Sequence, residues 1–211
     1  MGIVRVVIYL TCGAQMTERK SEIKRKTLET DIALALNIDG SGNAEVQTGI
    51  GFLDHMLGSF AKHSGMDLTL RCQGDLVVDD HHTAEDCAIA LGQAFEMALG
   101  DKKGICRFGD AVAPLDEALA RVVVDLSGRP YSKVMLALPD GMIGNLKNEN
   151  LTHVFESFAM SAKITLHVDV LRGENSHHKA EAAFKAFALA LRAAVRRRGD
   201  SNDVPSTKGV L

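Results

Sequence analysis

Six of the eight histidines in this 211-residue chain fall into two matching sets. Each set is a lone His followed about 25 residues later by His-His-x-x-Glu. The first comprises His55, His81, His82 and Glu85; the second comprises His153, His177, His178 and Glu181. The two His-His pairs lie 96 residues apart and the lone histidines 98 apart, so the constellation reads as an internal duplication. A repeated set of imidazoles and carboxylates is what a transition metal asks for. Neutral ring nitrogens suit Mn, Fe, Co or Zn far better than Ca or Mg.

Helical spacing divides the ligands. Residues four apart share a helix face, so His81 can grip an ion with Glu85, and His177 with Glu181. Adjacent residues diverge by about 100° on the helical wheel. His81 and His82 therefore cannot easily hold the same ion, and each pair suggests two metals. Six histidines and two glutamates divide symmetrically into two sites of three His and one Glu. Such a set fills a tetrahedral zinc site or leaves a six-coordinate Mn with open positions, and the absence of cysteine ligands argues against structural zinc. Polar capping at two helix starts is the bland alternative; it explains a single His-His but not a duplicated set. His63 and His167 have no repeat partners and read as structural.

The elements that must position these groups are legible as hydrophobic periodicity. Thr30–Ile38 and Asp67–Cys72 alternate as strands, with a hairpin-type turn at Asp39-Gly40-Ser41-Gly42-Asn43 after the first. Gly51–His63 reads as a short amphipathic helix, then a turn at Gly74, a short strand, and a long helix over His82–Leu99. Asp79, Asp80 and Thr83 bunch at the start of that long helix, where carboxylates and hydroxyls suit free amides. The order then repeats: strands Leu119–Leu126 and Tyr131–Leu138 around a turn at Gly128-Arg129-Pro130, helix Leu151–Ser161, strand Lys163–Leu171 and helix His178–Arg198. Asn175 and Ser176 are its capping candidates. The fold class is α+β, two duplicated half-domains, each a sheet with helices packed on one face. The halves run over residues 20–102 and 103–211, after an N-terminal extension at 1–19.

Composition narrows the setting. A 46% hydrophobic content gives ample core-forming capacity, and a net charge of -3 gives no reason to expect nucleic acid or an anionic membrane as partner. Basic residues concentrate at 18–26 and Arg196–Arg198, which reads as solvated surface. The four cysteines show no C-x-x-C spacing, which fits a reducing cytoplasm. No apolar run approaches the ~20 residues of a membrane span. The first 15 residues resemble a weak signal sequence, but the apolar stretch is short and Arg5 interrupts it. An extra edge strand or a disordered extension is the better reading, with Met16 as an alternative start.

Four motifs then carry a resemblance: Gly49-Ile50-Gly51-Phe52-Leu53-Asp54-His55-Met56-Leu57, Asp79-Asp80-His81-His82-Thr83-Ala84-Glu85-Asp86, Asp125-Leu126-Ser127-Gly128-Arg129-Pro130 and Gly173-Glu174-Asn175-Ser176-His177-His178-Lys179-Ala180-Glu181. In this order they closely resemble the imidazoleglycerol-phosphate dehydratase family of histidine biosynthesis, from about Arg19 to Leu211. The resemblance implies two manganese ions per subunit. One takes His55, His82, His177 and Glu181, and the other His81, Glu85, His153 and His178. It also implies a substrate-phosphate grip from Arg107, Arg129, Lys185 and the tail Ser206-Thr207-Lys208-Gly209, where many members have Ser in place of Thr207. Glu29 matches a family glutamate near the substrate, and His63 closes a substrate-lining run that starts at His55. On sequence alone the basic residues read as surface charge and Glu29 as an outward-facing strand residue.

The implied substrate is a small phosphorylated imidazole, and the implied assembly is a 24-subunit shell with sites between subunits. The C–H beside the leaving hydroxyl is not acidic, since no carbonyl activates it. In the implied reaction two metals would supply Lewis acidity at the ring nitrogens and favour the imidazolate, and loss of the hydroxyl and then of the C–H proton would give an enol and the ketone. Glu29 and Glu181 are the carboxylates chosen for proton transfer. A two-metal hydrolase of a phosphorylated metabolite and a metal-storage or metal-sensing protein are the rivals. Basic groups fixed for a phosphate argue against storage, and the lack of Asp-rich bridging ligands argues against hydrolysis.

Overall fold

The computed structural model describes residues 5–6, 19–199 and 203–209. The first half contributes β1 (Arg5–Val6), β2 (Lys20–Lys26), β3 (Thr30–Asn37), β4 (Ala44–Gln47), α1 (Gly51–Ser64), β5 (Asp67–Gly74) and α2 (His81–Leu99). The second contributes β6 (Phe108–Leu115), β7 (Ala118–Asp125), β8 (Tyr131–Met135), β9 (Met142–Ile143), β10 (Leu146–Lys147), α3 (Asn148–Ser161), β11 (Thr165–Arg172) and α4 (Ser176–Val195). Most of the N-terminal extension, with its signal-like run and Met16, lies outside the described residues; Arg5 and Val6 pair antiparallel with Lys24 and Ile23.

The two sheets share one topology. Strand order is β1-β2-β3-β5-β4 in the first and β6-β7-β11-β8 in the second. In each, an antiparallel trio ends on a parallel edge strand (β4 beside β5, β8 beside β11) and a helix makes the crossover between those parallel strands. A long helix follows, so α1 corresponds to α3 and α2 to α4. The β9–β10 hairpin is an insertion in the second half. The expected hairpin after β3 is corrected: β3 pairs with β5, which comes between it and β4. The short strand expected after Gly74 is likewise a turn over residues 76–78.

Alternation puts Ile32, Leu34 and Leu36 of β3 under the helices, each nearly fully buried. Each such side chain stabilises the fold by about 1.5–3 kcal/mol. Helices α1 and α2 pack on the first sheet, α3 and α4 on the second, and the layers meet through α1–α4 and α2–α3 contacts. Phe60, Phe155, Phe158, Phe184 and Phe187 fill that seam, with Phe155 and Phe184 ring centroids 4.7 Å apart. Gly92 allows α2 to approach α3, since a Cβ there would lie 2.6 Å from the Phe158 carbonyl oxygen. Each seam joins one helix from each half.

The basic run at 18–26 is the strand β2 rather than a featureless solvated face: Arg25 reaches Asp86 of α2 at 2.5 Å while Lys26 stays exposed on Asp31. Arg196–Arg198 hydrogen-bond through their backbones to residues 104–106, with Cys106 N–H donating to the Arg196 carbonyl at 2.8 Å.

Candidate metal centre and active site

Both His-His pairs stand at helix starts. For α4, the side chain of Asn175 accepts from the backbone N–H of His177 (2.9 Å) and His178 (3.3 Å), the capping role the sequence suggests. For α2, Asp79 accepts from His81 N–H at 2.9 Å, whereas Asp80 turns across the molecule to accept from Lys147 N–H at 2.6 Å. In the first turn of α1, Asp54 accepts from both the backbone N–H (2.8 Å) and hydroxyl (2.6 Å) of Thr48, which ties the preceding loop to the helix that carries His55.

The first seam gathers His55 from α1 with His177 and Glu181 from α4. Their ligand atoms lie within 4.8 Å of one another. The His55 and His177 Nε2 atoms sit 3.2 and 3.1 Å from Glu181 Oε2, and Lys185 Nζ lies 2.8 Å from the other carboxylate oxygen. Burial pushes the Glu181 carboxyl up, but Lys185 and the two imidazoles outweigh it and hold the pKa at about 2. The His55 and His177 side chains remain 52% and 43% exposed, so the triad is open to completion from outside. Two imidazoles and a carboxylate whose ligand atoms converge fit a transition metal, short of one ligand.

The second seam places His81 and Glu85 of α2 beside His153 of α3. His81 Nε2 is 3.8 Å from Glu85 Oε2, and the His81 and His153 ring centroids are 5.2 Å apart. His81 Nδ1–H donates to Asn150 Oδ1 at 2.9 Å, which leaves Nε2 for the ligand side.

The remaining two histidines of the sets stand apart from both triads. His82 Nδ1–H donates to Asp75 at 3.0 Å, with its Nε2 3.6 Å from Glu29. His178 Nδ1–H donates to Glu117 at 2.7 Å, with its Nε2 3.8 Å from Asp116. These hydrogen bonds raise the pKa of both imidazoles, and the His178 bond together with the backbone N–H of Asn175 and Glu174 holds Glu117 at about 2. Adjacent histidine rings meet edge-on, with centroids 5.9 Å apart for His81–His82 and 6.2 Å for His177–His178. The first expected set of four is thus three plus one within a single chain; of the second, His81 stands beside both Glu85 and His153, but among the described residues only the first set brings all its ligand atoms within 4.8 Å.

Comparison with known proteins decides the family. Residues 48–191 match the family model described as imidazoleglycerol-phosphate dehydratase. The chain is 56% identical to the imidazoleglycerol-phosphate dehydratase of Phaffia rhodozyma over 94% of this chain and 99% of that protein. It is 52% identical to that of Saccharomyces cerevisiae over 93% and 100%. A Phytophthora nicotianae relative of the same name is 58% identical over 95% of this chain, which spans 44% of that longer protein. The fold superposes on the Staphylococcus aureus enzyme structure with a TM-score of 0.77 at 38% identity, covering 84% of this chain and 99% of that one. The chain belongs to the imidazoleglycerol-phosphate dehydratase family.

The other residues the family resemblance names fall into two neighbourhoods. His63, in the last turn of α1, feels the charges of both Lys185 and Glu181, and its pKa is lowered chiefly by burial and secondarily by Lys185. Glu29 lies in the β2–β3 turn rather than in a strand, exposed beside His82, a correction to the sequence reading. Arg107 is a basic residue at the far end of α4: its N–H bonds the Ala194 carbonyl, its guanidinium grips Asp125 at 2.7 and 3.1 Å, and Nη1 donates to the Pro205 carbonyl at 2.8 Å. That last bond holds the tail at Arg107, and Arg129 reaches the same Asp125 at 3.8 Å. Within the tail, Lys208 N–H donates to Ser206 Oγ and Gly209 N–H to the Ser206 carbonyl, so Thr207, Lys208 and Gly209 form a turn. Thirteen residues of α4 separate Glu181 from Ala194, about 20 Å at 1.5 Å per residue. A single chain therefore does not bring Arg107 to its own first triad.

Three residues at the histidines escaped the sequence reading: Asp75, Glu117 and Asn150. Their types are ordinary, and only the fold brings Glu117 to His178, 61 residues along the chain. A surface cleft of about 580 Å³ between residues 134–142 and 147–152 contains none of the histidines. The first triad lies on open surface instead.

Proposed function

We propose that this protein acts as a hydro-lyase that dehydrates imidazoleglycerol phosphate to imidazole acetol phosphate in histidine biosynthesis. The observation that carries the reading is the pair of imidazole–carboxylate triads, each drawing on both halves of the chain. Two ions per subunit, manganese in the family's pattern, complete them: His55, His177 and Glu181 with a His82, and His81, Glu85 and His153 with a His178. When bound, the metals supply Lewis acidity that favours the imidazolate form of the substrate ring. The chain's own residues do the rest. Glu29, free of any lysine partner among the described contacts and exposed, is the better base for the C–H proton, since Glu181 is committed to ligand and Lys185 contacts. His55 and His63 line the ring, and Arg107, Arg129, Lys185, Thr207, Lys208 and Gly209 hold the phosphate.

The three-plus-one split supports sites shared between protomers of a homo-oligomer, 24 subunits in the family's pattern. So do the exposed apolar side chains around Glu29 and Asp75: Leu28 and Val77 are almost wholly solvent-facing, a surface that another protomer covers at low cost. No helix among the described residues is long and apolar enough to cross a membrane, and Cys72, Cys87 and Cys106 are free thiols, which suits a reducing cytoplasm.

The deciding experiment is mass spectrometry of product after incubation with imidazoleglycerol phosphate. Loss of one water supports the reading; loss of phosphate points to a hydrolase, and an unchanged substrate to storage or sensing. Chelation should lower the solution mass reversibly, with Mn restoring it, and an unchanged mass in the metal-free protein would count against metal-linked assembly.

A further inference from the structure

The two histidines that stand apart from the triads share a feature their sequence does not announce. Each ring is held at Nδ1 by a carboxylate, His82 by Asp75 at 3.0 Å and His178 by Glu117 at 2.7 Å. A carboxylate only accepts, so the proton sits on Nδ1 and the Nε2 lone pair points away from it. The duplication does not account for the match. Asp75 comes from the loop after β5, whereas Glu117 comes from the β6–β7 turn, so the two halves reach one arrangement from different elements.

The Glu117 carboxylate is itself fixed, and Asp75 is anchored through its backbone. Glu117 Oε1 accepts from the backbone N–H of Glu174 (3.1 Å) and Asn175 (2.9 Å), the residues that launch α4, leaving Oε2 for His178. The backbone of Asp75 bridges Glu29 and Val78: its N–H donates to the Glu29 carbonyl at 3.0 Å and its carbonyl accepts from Val78 at 2.7 Å. The Asp75 Oδ2 meets His82, while Oδ1 is buried with no hydrogen-bond partner among the described residues, so the contact with His82 is the bond that orients this carboxylate.

We infer that Asp75 and Glu117 are positioning residues that lock His82 and His178 with Nε2 outward as the two ligands offered beyond their own triads. The inference rests on the metal-site reading given under Proposed function. Its physical content is pre-organisation. A ring already in the right tautomer and orientation loses less freedom on capturing an ion, and the carboxylate raises its basicity as a ligand.

The test uses the full-length protein with Mn as the probe. Asp75→Asn and Glu117→Gln keep shape and one acceptor but can donate as well as accept, so they remove the bias toward Nδ1–H. Each variant should weaken one of the two ions by about 10–100-fold, read from free Mn by electron paramagnetic resonance, and leave the other ion unchanged. In metal-free parent protein held at alkaline pH, where the rings are neutral, nitrogen-15 spectra of labelled histidine should show His82 and His178 as Nδ1–H tautomers, and each variant should shift its own histidine toward a mixture. Parent-like Mn affinity in both variants overturns the inference. So does a parent protein whose two rings carry the proton on Nε2, which needs no variant to fold. A parent that takes up no ion overturns the metal-site reading itself, and His82→Ala retaining both ions overturns the ligand assignment; neither resembles the first two results.

Discussion

The two triads use the same ligand types on the same duplicated scaffold, yet their surroundings differ. In the first, Glu181 is 14% exposed and carries Lys185 one turn further along α4. In the second, Glu85 is 37% exposed, and the residue one turn on is Ile89. Three residues before the lone histidine, the first half has Phe52, whose ring meets His177 edge-on at 5.0 Å; the second has Asn150, which bonds His81 Nδ1 at 2.9 Å. The lesson is that duplication preserved the donors and let the supports diverge. A donor must be an imidazole or carboxylate at a fixed place, whereas a ring can be steadied by packing or by a hydrogen bond.

Deleting a donor should break both sites equally. His177→Ala and His153→Ala should each reduce bound metal from about two ions per subunit to about one and lower kcat/KM by about a thousandfold, ~4 kcal/mol of transition-state stabilisation. Metal analysis of purified variants checks this. Two ions retained in either variant would sink the ligand assignment, and unequal losses would show one site to be structural.

Lys185→Met should break the symmetry of the comparison. It strips a nearly buried carboxylate of its charged partner, and hydrogen bonds to charged groups are worth about 1.5–3 kcal/mol. A loss of that size in the metal-free protein is expected from denaturant unfolding. Ile89→Met, at the corresponding place in α2, should change stability by less than ~1 kcal/mol. Equal effects at the two positions would show that the Glu181–Lys185 pair contributes nothing.

Much of this was legible in the sequence, for identifiable reasons. Strands β3 and β5 and all four helices announce themselves because one face of each is apolar. Strand β2 does not: it has Ile23 as its single buried apolar side chain, so its other residues read as a charge run. Strand β6 inverts the pattern. Its exposed face carries Phe108 and Val112 while its helix-facing side is Gly109 and Ala113, because α4 lies so close that a Cβ on Gly109 would sit 2.1 Å from the Ala190 carbonyl oxygen. At the site, repetition exposed the histidines and glutamates. It could not expose Asp75 or Glu117, which repeat no pattern and come from non-equivalent loops.

The proposed phosphate grip differs from both triads in relying on the tail over residues 205–209. Truncation after Val204 removes the Pro205 carbonyl that Arg107 Nη1 reaches, together with Thr207, Lys208 and Gly209. KM should rise by about 10–100-fold, as expected for losing one or two hydrogen bonds to a charged group. Metal content should stay near two ions per subunit, and kcat should fall too if closure excludes water. Normal kinetics in the truncated protein would show that this turn plays no part in binding.

The smallest expected effect probes the divergent supports directly. Asn150→Leu keeps the volume of a nearly fully buried side chain but removes the acceptor of His81 Nδ1–H. The ring is then free to take the other tautomer, which would point a proton rather than a lone pair at Glu85 and the ion. Losing such a partner costs about tenfold or more in metal affinity. Because Asn150 Nδ2 is buried without a partner, the substitution also removes an unsatisfied donor, so global stability should hardly fall and can rise. Phe52→Leu, its counterpart, removes only an edge contact worth about 0.5–1.5 kcal/mol and leaves the His177 tautomer alone. Mn titration should therefore show a weakened second site in Asn150→Leu and a nearly unaltered first site in Phe52→Leu. The reverse ranking would mean that packing, not hydrogen bonding, is what holds these imidazoles in place.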